Sequence, residues 1–447
     1  EEALEVLDQA LSADPAYAVA HDNRGMILYD CRRFLDAAQA HLTALAHTPV
    51  EAAADRVAIL LHLAKAAFEA AEFDASEQAS RAILELEPDN ADALEHLATV
   101  LARLLRQDEA IVLLNRLARL QGLTTGGCQD GSAEATILLL GGVGAGHVPT
   151  RYLFDPALFA TRTMILLSPD QPDAPLGDVP YDLLIDADVI FNTLGEVDKD
   201  GGQIGPADAL VARLGKPILN PSHRVARTSR EQVHTLFGGI PGLRLPGVRW
   251  MTREELADLS ELPAPRLIRP GGTHGGKDLV LLRTIADLAA YLAKVPNERF
   301  LLIDFFDFKG EHDCYRKFRM IFVDRKPYPY HLAIADSWLV HYWRAEMSRD
   351  EWKKREEEAF LTDWRQVFGP VGAAAVEEVG RRLDLDYGGM DCSILPNGEV
   401  LFFEANACML VHLDDAEAEF PYKHRAVPRI RDAVTRMVRD RVAKARP

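Results

Sequence analysis

The order of apolar and polar positions changes character near residue 122. Residues 1–121 are almost free of strand signals and are dominated by Ala, Leu and Glu. From residue 135 onward, short apolar runs alternate with helical stretches, the pattern of strands feeding helices. Ile137-Leu138-Leu139-Leu140 reads as a buried strand, followed by Tyr181–Ile185, Val189–Asn192 and Pro217–Asn220. A helix is predicted over Arg224–Phe237. Strands Leu267–Arg269 and Leu279–Leu282 then flank a glycine loop, and Phe300–Phe306 reads as a buried strand. Lys317–Val323 alternates polar and apolar, which puts Lys317, Arg319 and Ile321 on one face. Between the two regimes, Gly122, Gly126, Gly127 and Gly131 mark a flexible linker over 122–134.

Within the first region Pro15 and Pro49 stand 34 residues apart. Gly25, Ala37 and Ala44 lie 24, 12 and 5 residues before Pro49, and Ala3 and Ala10 lie 12 and 5 before Pro15. Pro88 closes a further unit and is followed by Leu94, Leu97 and Ala110. This spacing resembles the tetratricopeptide repeat, in which small residues let two antiparallel helices pack closely. The Pro49–Pro88 unit departs from it, being five residues longer and carrying Ser76 and Ile83 where Ala is usual. The chain would begin at the second helix of a repeat and hold about three and a half repeats. A generic helical bundle explains the same packing. A stacked array implies a concave face that docks a peptide or protein.

The densest chemistry lies near the C-terminus, in Gly388–Asn406. Asn397-Gly398 between apolar runs predicts a two-residue hairpin loop, so that Pro396 faces Glu399 and Asp391 faces Glu404. Asn406 then shares the face of Glu404. Like charges opposite each other repel, and a cation relieves the repulsion. Asp391, Glu404 and Asn406 are hard oxygen donors suited to Mg²⁺. A solvated acidic face is the plain alternative.

Composition narrows the partners. A formal charge of -18 excludes a nucleic-acid surface, which needs a cationic footprint. No apolar run reaches the length of a membrane span, and the opening Glu-Glu-Ala-Leu is not a signal peptide. Cys31, Cys128, Cys314, Cys392 and Cys408 are odd in number and lack CxxC spacing, which fits a reducing, cytoplasmic setting. The cluster Gly141–Gly146 is a weak dinucleotide signal, because Pro149 interrupts the expected helix and no strand-end acid follows. Gly271–Lys277 is a strand–loop–strand hairpin able to lay backbone N–H groups over phosphates, but it is not a P-loop. Tyr328–Arg344 is rich in aromatics and histidine. With His331 and His341 ten residues apart, a buried aromatic strand explains it better than a metal site. Trp352–Trp364 reads as a solvated amphipathic helix that caps the site.

The series of small α/β domain, glycine hairpin, apolar strand ending in an acid, inward Arg319 and Asp391…Glu404-x-Asn406 resembles the ATP-grasp fold of carboxylate–amine ligases, such as glutathione synthetase and D-alanine–D-alanine ligase. It covers about residues 135–440. The implied architecture is multidomain: a repeat solenoid over 1–121, a linker over 122–134, a pre-grasp α/β domain over 135–221 and an α+β ATP-grasp domain over 222–447. By resemblance, Asp391, Glu404 and Asn406 hold Mg²⁺ against ATP phosphates. Gly272, Thr273, His274, Gly275, Gly276 and Lys277 form the lid over them. Ile303, Asp304, Phe305 and Phe306 form the hinge strand at the adenine, and Glu311 takes the ribose, with Asp313 as its rival. Arg319 stabilises the transferring phosphoryl group, and Arg344 anchors the acceptor carboxylate. Arg269 and Arg227 stand where the family carries lysines, keeping the charge and adding a bidentate fork. Asp304 replaces the usual Glu, and His274 is unusual in the lid. The implied activity is ATP-dependent conversion of a carboxylate to an acyl phosphate and then an amide, with a peptide or protein substrate recruited by the repeats. Phosphotransfer to a hydroxyl and a non-catalytic nucleotide-binding scaffold are the alternatives.

Overall fold

The computed structural model describes residues 2–128, 131–144, 148, 150–167, 182–195, 197–229, 232–262, 265–271, 278–342 and 345–445. The chain divides into two compact units, one made of Glu1–Leu123 with Ile165–Val179 and the other of Thr124–Met164 with Pro180–Pro447.

The first unit is a run of helices: α1 (Glu2–Ala13), α2 (Ala18–Asp30), α3 (Phe34–His47), α4 (Ala53–Glu69), α5 (Phe73–Leu86), α6 (Ala91–Arg103) and α7 (Gln107–Gln121). After α1 they pair as α2/α3, α4/α5 and α6/α7, the arrangement expected of repeats entered at a second helix. Ala37, Ala44, Ser76, Ile83 and Ala110 are all buried, at the positions the repeat pattern reserves for close packing. Ser76 substitutes for Ala by donating its hydroxyl to the Ala64 carbonyl at 2.8 Å. The longer second unit places extra residues in α4, 17 residues against 13 in α2. Each helix pair turns through one left-handed residue, at Arg32, Ala71 and Leu105 (φ 59°, 63° and 64°).

The second unit is built on three sheets. One has strand order β1-β3-β2-β4-β5, from Leu123–Gly127, Phe159–Leu166, Ala135–Gly142, Val189–Asn192 and Ile218–Leu219. Its β2/β4 and β4/β5 pairs are parallel. Helices α8 (Asp182–Ile185) and α9 (Val197–Leu214) belong to this part. Two expectations are corrected here. The linker at 122–134 carries β1, and Tyr181–Ile185 contributes helix α8 rather than a strand. Strand β3 was not anticipated. The helix expected over Arg224–Phe237 is broken into α10 (Ser222–Val225), a 3-10 turn over Ala226–Thr228 and α11 (Val233–Phe237).

The remaining two sheets carry the site. The four-stranded antiparallel sheet β7-β10-β8-β9 uses Val248–Thr252, Arg299–Asp304, Arg266–Pro270 and Val280–Leu282. Short helices α12 (Arg253–Ala257) and α13 (Ile285–Lys294) accompany it, each opened by a capping box, at Thr252/Glu255 and Thr284/Asp287. The five-stranded sheet runs β12-β11-β13-β14-β6, from Lys326–Ala335, Tyr315–Val323, Tyr387–Ile394, Val400–Asn406 and Leu243–Arg244. Helices α14 (Glu351–Thr362) and α15 (Trp364–Leu383) pack on β12, followed later by α16 (Pro421–Ala426) and α17 (Pro428–Ala445). Helix α14 is not merely solvated, because it buries Lys353, Glu357, Phe360 and Leu361. Asn220 ties the first sheet to β13. Its side chain donates to the Tyr387 carbonyl at 2.7 Å and accepts from the Asp386 and Tyr387 N–H groups, each at 2.9 Å. No described helix is long and apolar enough to cross a membrane.

Candidate active site

One transverse row of side chains crosses the five-stranded sheet. Arg319 on β11 is the register partner of His331 on β12 and of Asp391 on β13, and Asp391 is the partner of Glu404 on β14. Lys317 lies two residues before Arg319 and therefore on the same face. Asp391 is 1% exposed. Arg319 holds it with two parallel bonds, Nε–Oδ1 at 2.6 Å and a terminal N–H to Oδ2 at 2.9 Å, while Lys317 Nζ stands 3.1 Å from Oδ2. Burial alone would push the Asp391 carboxyl up, but Arg319 and Lys317 outweigh it and hold it well below the usual carboxylate range. Burial, reinforced by the Arg319 charge, drives His331 well below its ordinary pKa, so its ring is neutral. Its Nε2 is buried and has no hydrogen-bond partner among the described residues. The ring stacks on Tyr342 at 4.7 Å.

The Asp391–Glu404 pairing arises differently from the expected two-residue turn. The Leu395 N–H donates to the Glu399 carbonyl at 2.9 Å, so Pro396, Asn397 and Gly398 form a three-residue loop. Gly398 supplies its left-handed residue (φ 82°). Ile394 pairs with Val400, one step off the expected register. A bulge then inserts Phe403 between the partners of Asp391 and Cys392 and restores Asp391 to Glu404. It also breaks the alternation of β14, so that consecutive Phe402, Phe403 and Glu404 all line one cavity.

That cavity has a volume of about 330 Å³. Its apolar lining includes Leu279, Ile303, Phe305, Phe306 and Trp338. Its polar lining includes Arg269, Lys317, Arg319, His331, Asp391 and Glu404. A smaller cavity of about 160 Å³ shares Arg269, Ile303 and Glu404 and adds Asn406. Arg269 is 8% exposed, a nearly buried cation on the walls of both.

The structure thus brings together Arg269, Ile303, Asp304, Phe305, Phe306, Arg319, Asp391, Glu404 and Asn406 of the residues expected from sequence. Asp304 is partly engaged already, accepting from the Gly247 N–H at 3.1 Å and standing 3.4 Å from Arg266 Nε. Arg227 is not brought to the cavity; it donates to the Arg382 carbonyl at 3.3 Å. Glu311 and Asp313 are exposed and line neither cavity, and Asp313 pairs with Lys309 at 2.7 Å. Gly272, Thr273, His274, Gly275, Gly276, Lys277 and Arg344 lie outside the described residues.

The donor set fits Mg²⁺ in kind, since Asp391, Glu404 and Asn406 offer hard oxygens, with Glu404 on the walls of both cavities. Asp391 would share its carboxylate with two cations. The Asn406 Oδ1 also accepts from the Cys408 N–H at 2.9 Å. The Glu404 side chain makes no ion pair or hydrogen bond among the described residues. The adjoining cations and the apolar lining fit a ligand with an anionic and a flat apolar part, as ATP has.

Sequence reasoning missed Lys317, His331 and Trp338 as cavity residues. The alternation of β11 already placed Lys317 beside Arg319, whereas His331 enters only through the pairing of β11 with β12. It also missed a buried group behind Tyr342. Lys423 lies 3.0 Å from Asp415 and 3.5 Å from Glu357, with its ammonium 4.1 Å from the Tyr342 ring centre. Burial pushes Glu357 up to about 8 and Lys423 down to about 7.

No family model matches the chain, and no curated protein matches it. Among solved structures, the D-alanine–D-alanine ligase from Bacillus anthracis complexed with ATP is 12% identical, covering 69% of this chain and 97% of that one at a TM-score of 0.41. The VanG D-Ala:D-Ser ligase from Enterococcus faecalis is also 12% identical, covering 68% of this chain and 99% of that one at 0.41. MamA is 19% identical and covers 26% of this chain and 66% of that one at 0.24. The ligases are of the kind the sequence resembles. At these scores the likenesses carry no argument about activity, which rests on the geometry of this chain.

Proposed function

We propose that the second unit is an ATP- and Mg²⁺-dependent ligase that activates a substrate carboxylate as an acyl phosphate and joins it to an amine. The observation that carries this reading is the row His331–Arg319–Asp391–Glu404, with Lys317 beside it, on the wall of a cavity that Ile303, Phe305, Phe306 and Trp338 also line. Arg319 presents a planar guanidinium fixed by two bonds to Asp391, so its charge is aimed before any phosphate arrives. Lys317 and the nearly buried Arg269 add charge where solvent screening is weak. Ile303, Phe305, Phe306 and Trp338 supply an apolar lining suited to adenine. Asp391, Glu404 and Asn406 would hold Mg²⁺, which supplies neutralisation of phosphate charge when bound. The neutral His331 ring, lacking a partner at Nε2, is available to the acceptor. The helical unit docks a peptide or protein that supplies one of the two substrates.

The test incubates the full chain with ATP, Mg²⁺ and panels of carboxylates and amines, and follows ADP, phosphate and products together. An amide accompanied by free phosphate is the expected result, and Arg319→Ala should lower kcat/KM by about 100-fold or more. A phosphorylated product without free phosphate would move the reading to phosphotransfer. ATP that neither binds nor turns over would end it.

A further inference from the structure

We propose that the helical unit contains a transition-metal site formed by Asp22 on α2, His41 on α3 and His62 on α4. The three residues are 19 and 40 positions apart in sequence, yet their side chains meet. His41 Nδ1 lies 2.7 Å from Asp22 Oδ1, and His62 Nδ1 lies 3.1 Å from the same oxygen and 3.2 Å from Oδ2. All three ligand atoms fall within 4.8 Å of one another, the only such His/Cys/Asp/Glu group among the described residues.

The donor set selects the ion. Two imidazole nitrogens and one carboxylate suit Zn²⁺, Ni²⁺, Co²⁺ or Cu²⁺, whereas Mg²⁺ and Ca²⁺ prefer oxygen alone. In a tetrahedral zinc site, ligand atoms about 2.0–2.1 Å from the metal stand about 3.3 Å from each other. The present separations from Asp22, 2.7 to 3.2 Å, fall short of that by about 0.6 Å at most, so small rotations of the two rings would admit an ion. An imidazole coordinates through a ring nitrogen that carries no proton, so a metal–nitrogen bond would replace each present Nδ1 contact with Asp22.

The group has a seated side and an open side. The His41 side chain is 1% exposed, and those of Asp22 and His62 are 15% and 35% exposed. Gly25 makes room for the buried ring, because a Cβ there would stand 2.4 Å from His41 Cε1. The open side lies at His62, where solvent can supply the fourth ligand. A bound ion would join α2 and α3 of one helix pair to α4 of the next, stiffening two consecutive repeats.

Zn²⁺ titrated into the chelator-stripped full chain, followed by calorimetry and by metal content after dialysis, tests this. One ion per chain is expected, with a rise in the thermal transition of the helical unit. His62→Ala, at a half-exposed helix position, should fold normally by circular dichroism yet weaken binding by more than about tenfold. Asp22→Asn should do the same, while Glu404→Ala should leave this binding intact. Co²⁺ should give a visible ligand-field spectrum that His62→Ala loses. No saturable binding, or binding that survives both His62→Ala and Asp22→Asn, would overturn the proposal.

Discussion

Asp22 and Asp391 are the same side chain placed in the same predicament, and the molecule resolves it in two ways. Each is drawn out of water and faces two basic groups. In the helical unit these are the imidazoles of His41 and His62. In the second unit they are the guanidinium of Arg319 and the ammonium of Lys317. In both cases burial opposes ionisation and the partners win, so both carboxyls sit well below their usual range. The difference lies in the partners. An imidazole titrates near neutrality and binds metals through a neutral nitrogen, while guanidinium and ammonium stay charged across the physiological range. Asp391 is therefore paired with groups that keep their charge, and Asp22 is paired with groups that are also metal ligands.

The largest expected effect tests that permanence. Asp391→Ala leaves two cations facing each other in a nearly closed site, and breaking a buried pair from one side costs about 3–5 kcal/mol. The second unit should unfold at lower denaturant with its m-value unchanged, and ATP-dependent turnover should be lost. A loss of stability under about 1 kcal/mol would show that Arg319 and Lys317 find other partners or water, and the contrast with Asp22 would dissolve.

The sequence displayed the Asp391 centre and hid the Asp22 centre for a physical reason. A strand repeats every two residues, so the alternation of Lys317, Arg319 and Ile321 and the spacing of Asp391 from Glu404 are written in neighbouring letters. Even there the agreement rests on two departures that cancel. The loop is one residue longer than Asn397-Gly398 suggests, and the Phe403 bulge takes the slip back. Arg227 and Glu311 were placed by resemblance alone, with no periodicity behind them, and the structure turns both elsewhere. Asp22, His41 and His62 come from three helices whose stacking follows from Gly25, Ala37 and Ala44. Small residues announce that helices approach, but not which polar side chains meet when they do. Strand β1 escaped because Leu123–Gly127 is rich in Gly and Thr and lacks an apolar run.

A third acid sharpens the comparison, since Glu357 is the case in which burial wins. It is fully buried against the Tyr422 hydroxyl at 2.8 Å, the Leu332 N–H at 3.2 Å and the Lys423 ammonium at 3.5 Å, with Asp415 adding like charge. Its pKa is pushed up to about 8, so the folded chain keeps a proton that the unfolded chain releases near its ordinary carboxylate value. More protons bound when folded means that stability falls as pH rises through that window. Between about pH 5 and 7 the decline should be roughly 2–3 kcal/mol, at 1.36 kcal/mol per unit for one proton. Lys423, pushed down to about 7, contributes the opposite slope only above that pH. Glu357→Gln keeps the shape and removes the titration, so denaturation midpoints from pH 5 to 7 should flatten relative to the wild type. An unchanged slope in the variant would mean that Glu357 is ionised in the fold, like Asp391.

The smallest expected effect belongs to Asp22. Asp22→Asn, measured in chelator, removes the charge but keeps an oxygen that can accept from one imidazole. The pair also stays partly open to water, with 15% of the Asp22 side chain and 35% of the His62 side chain exposed. The cost should then be that of weakened hydrogen bonds, about 1 kcal/mol, read as a small fall in the thermal transition of the helical unit. Adding Zn²⁺ should widen the gap between wild type and variant, since a ligand that binds only the folded form stabilises by mass action. A loss in chelator as large as that of Asp391→Ala would instead make Asp22 a structural acid of the same kind as Asp391, held in place by its partners without a metal, and the difference between the two centres would vanish.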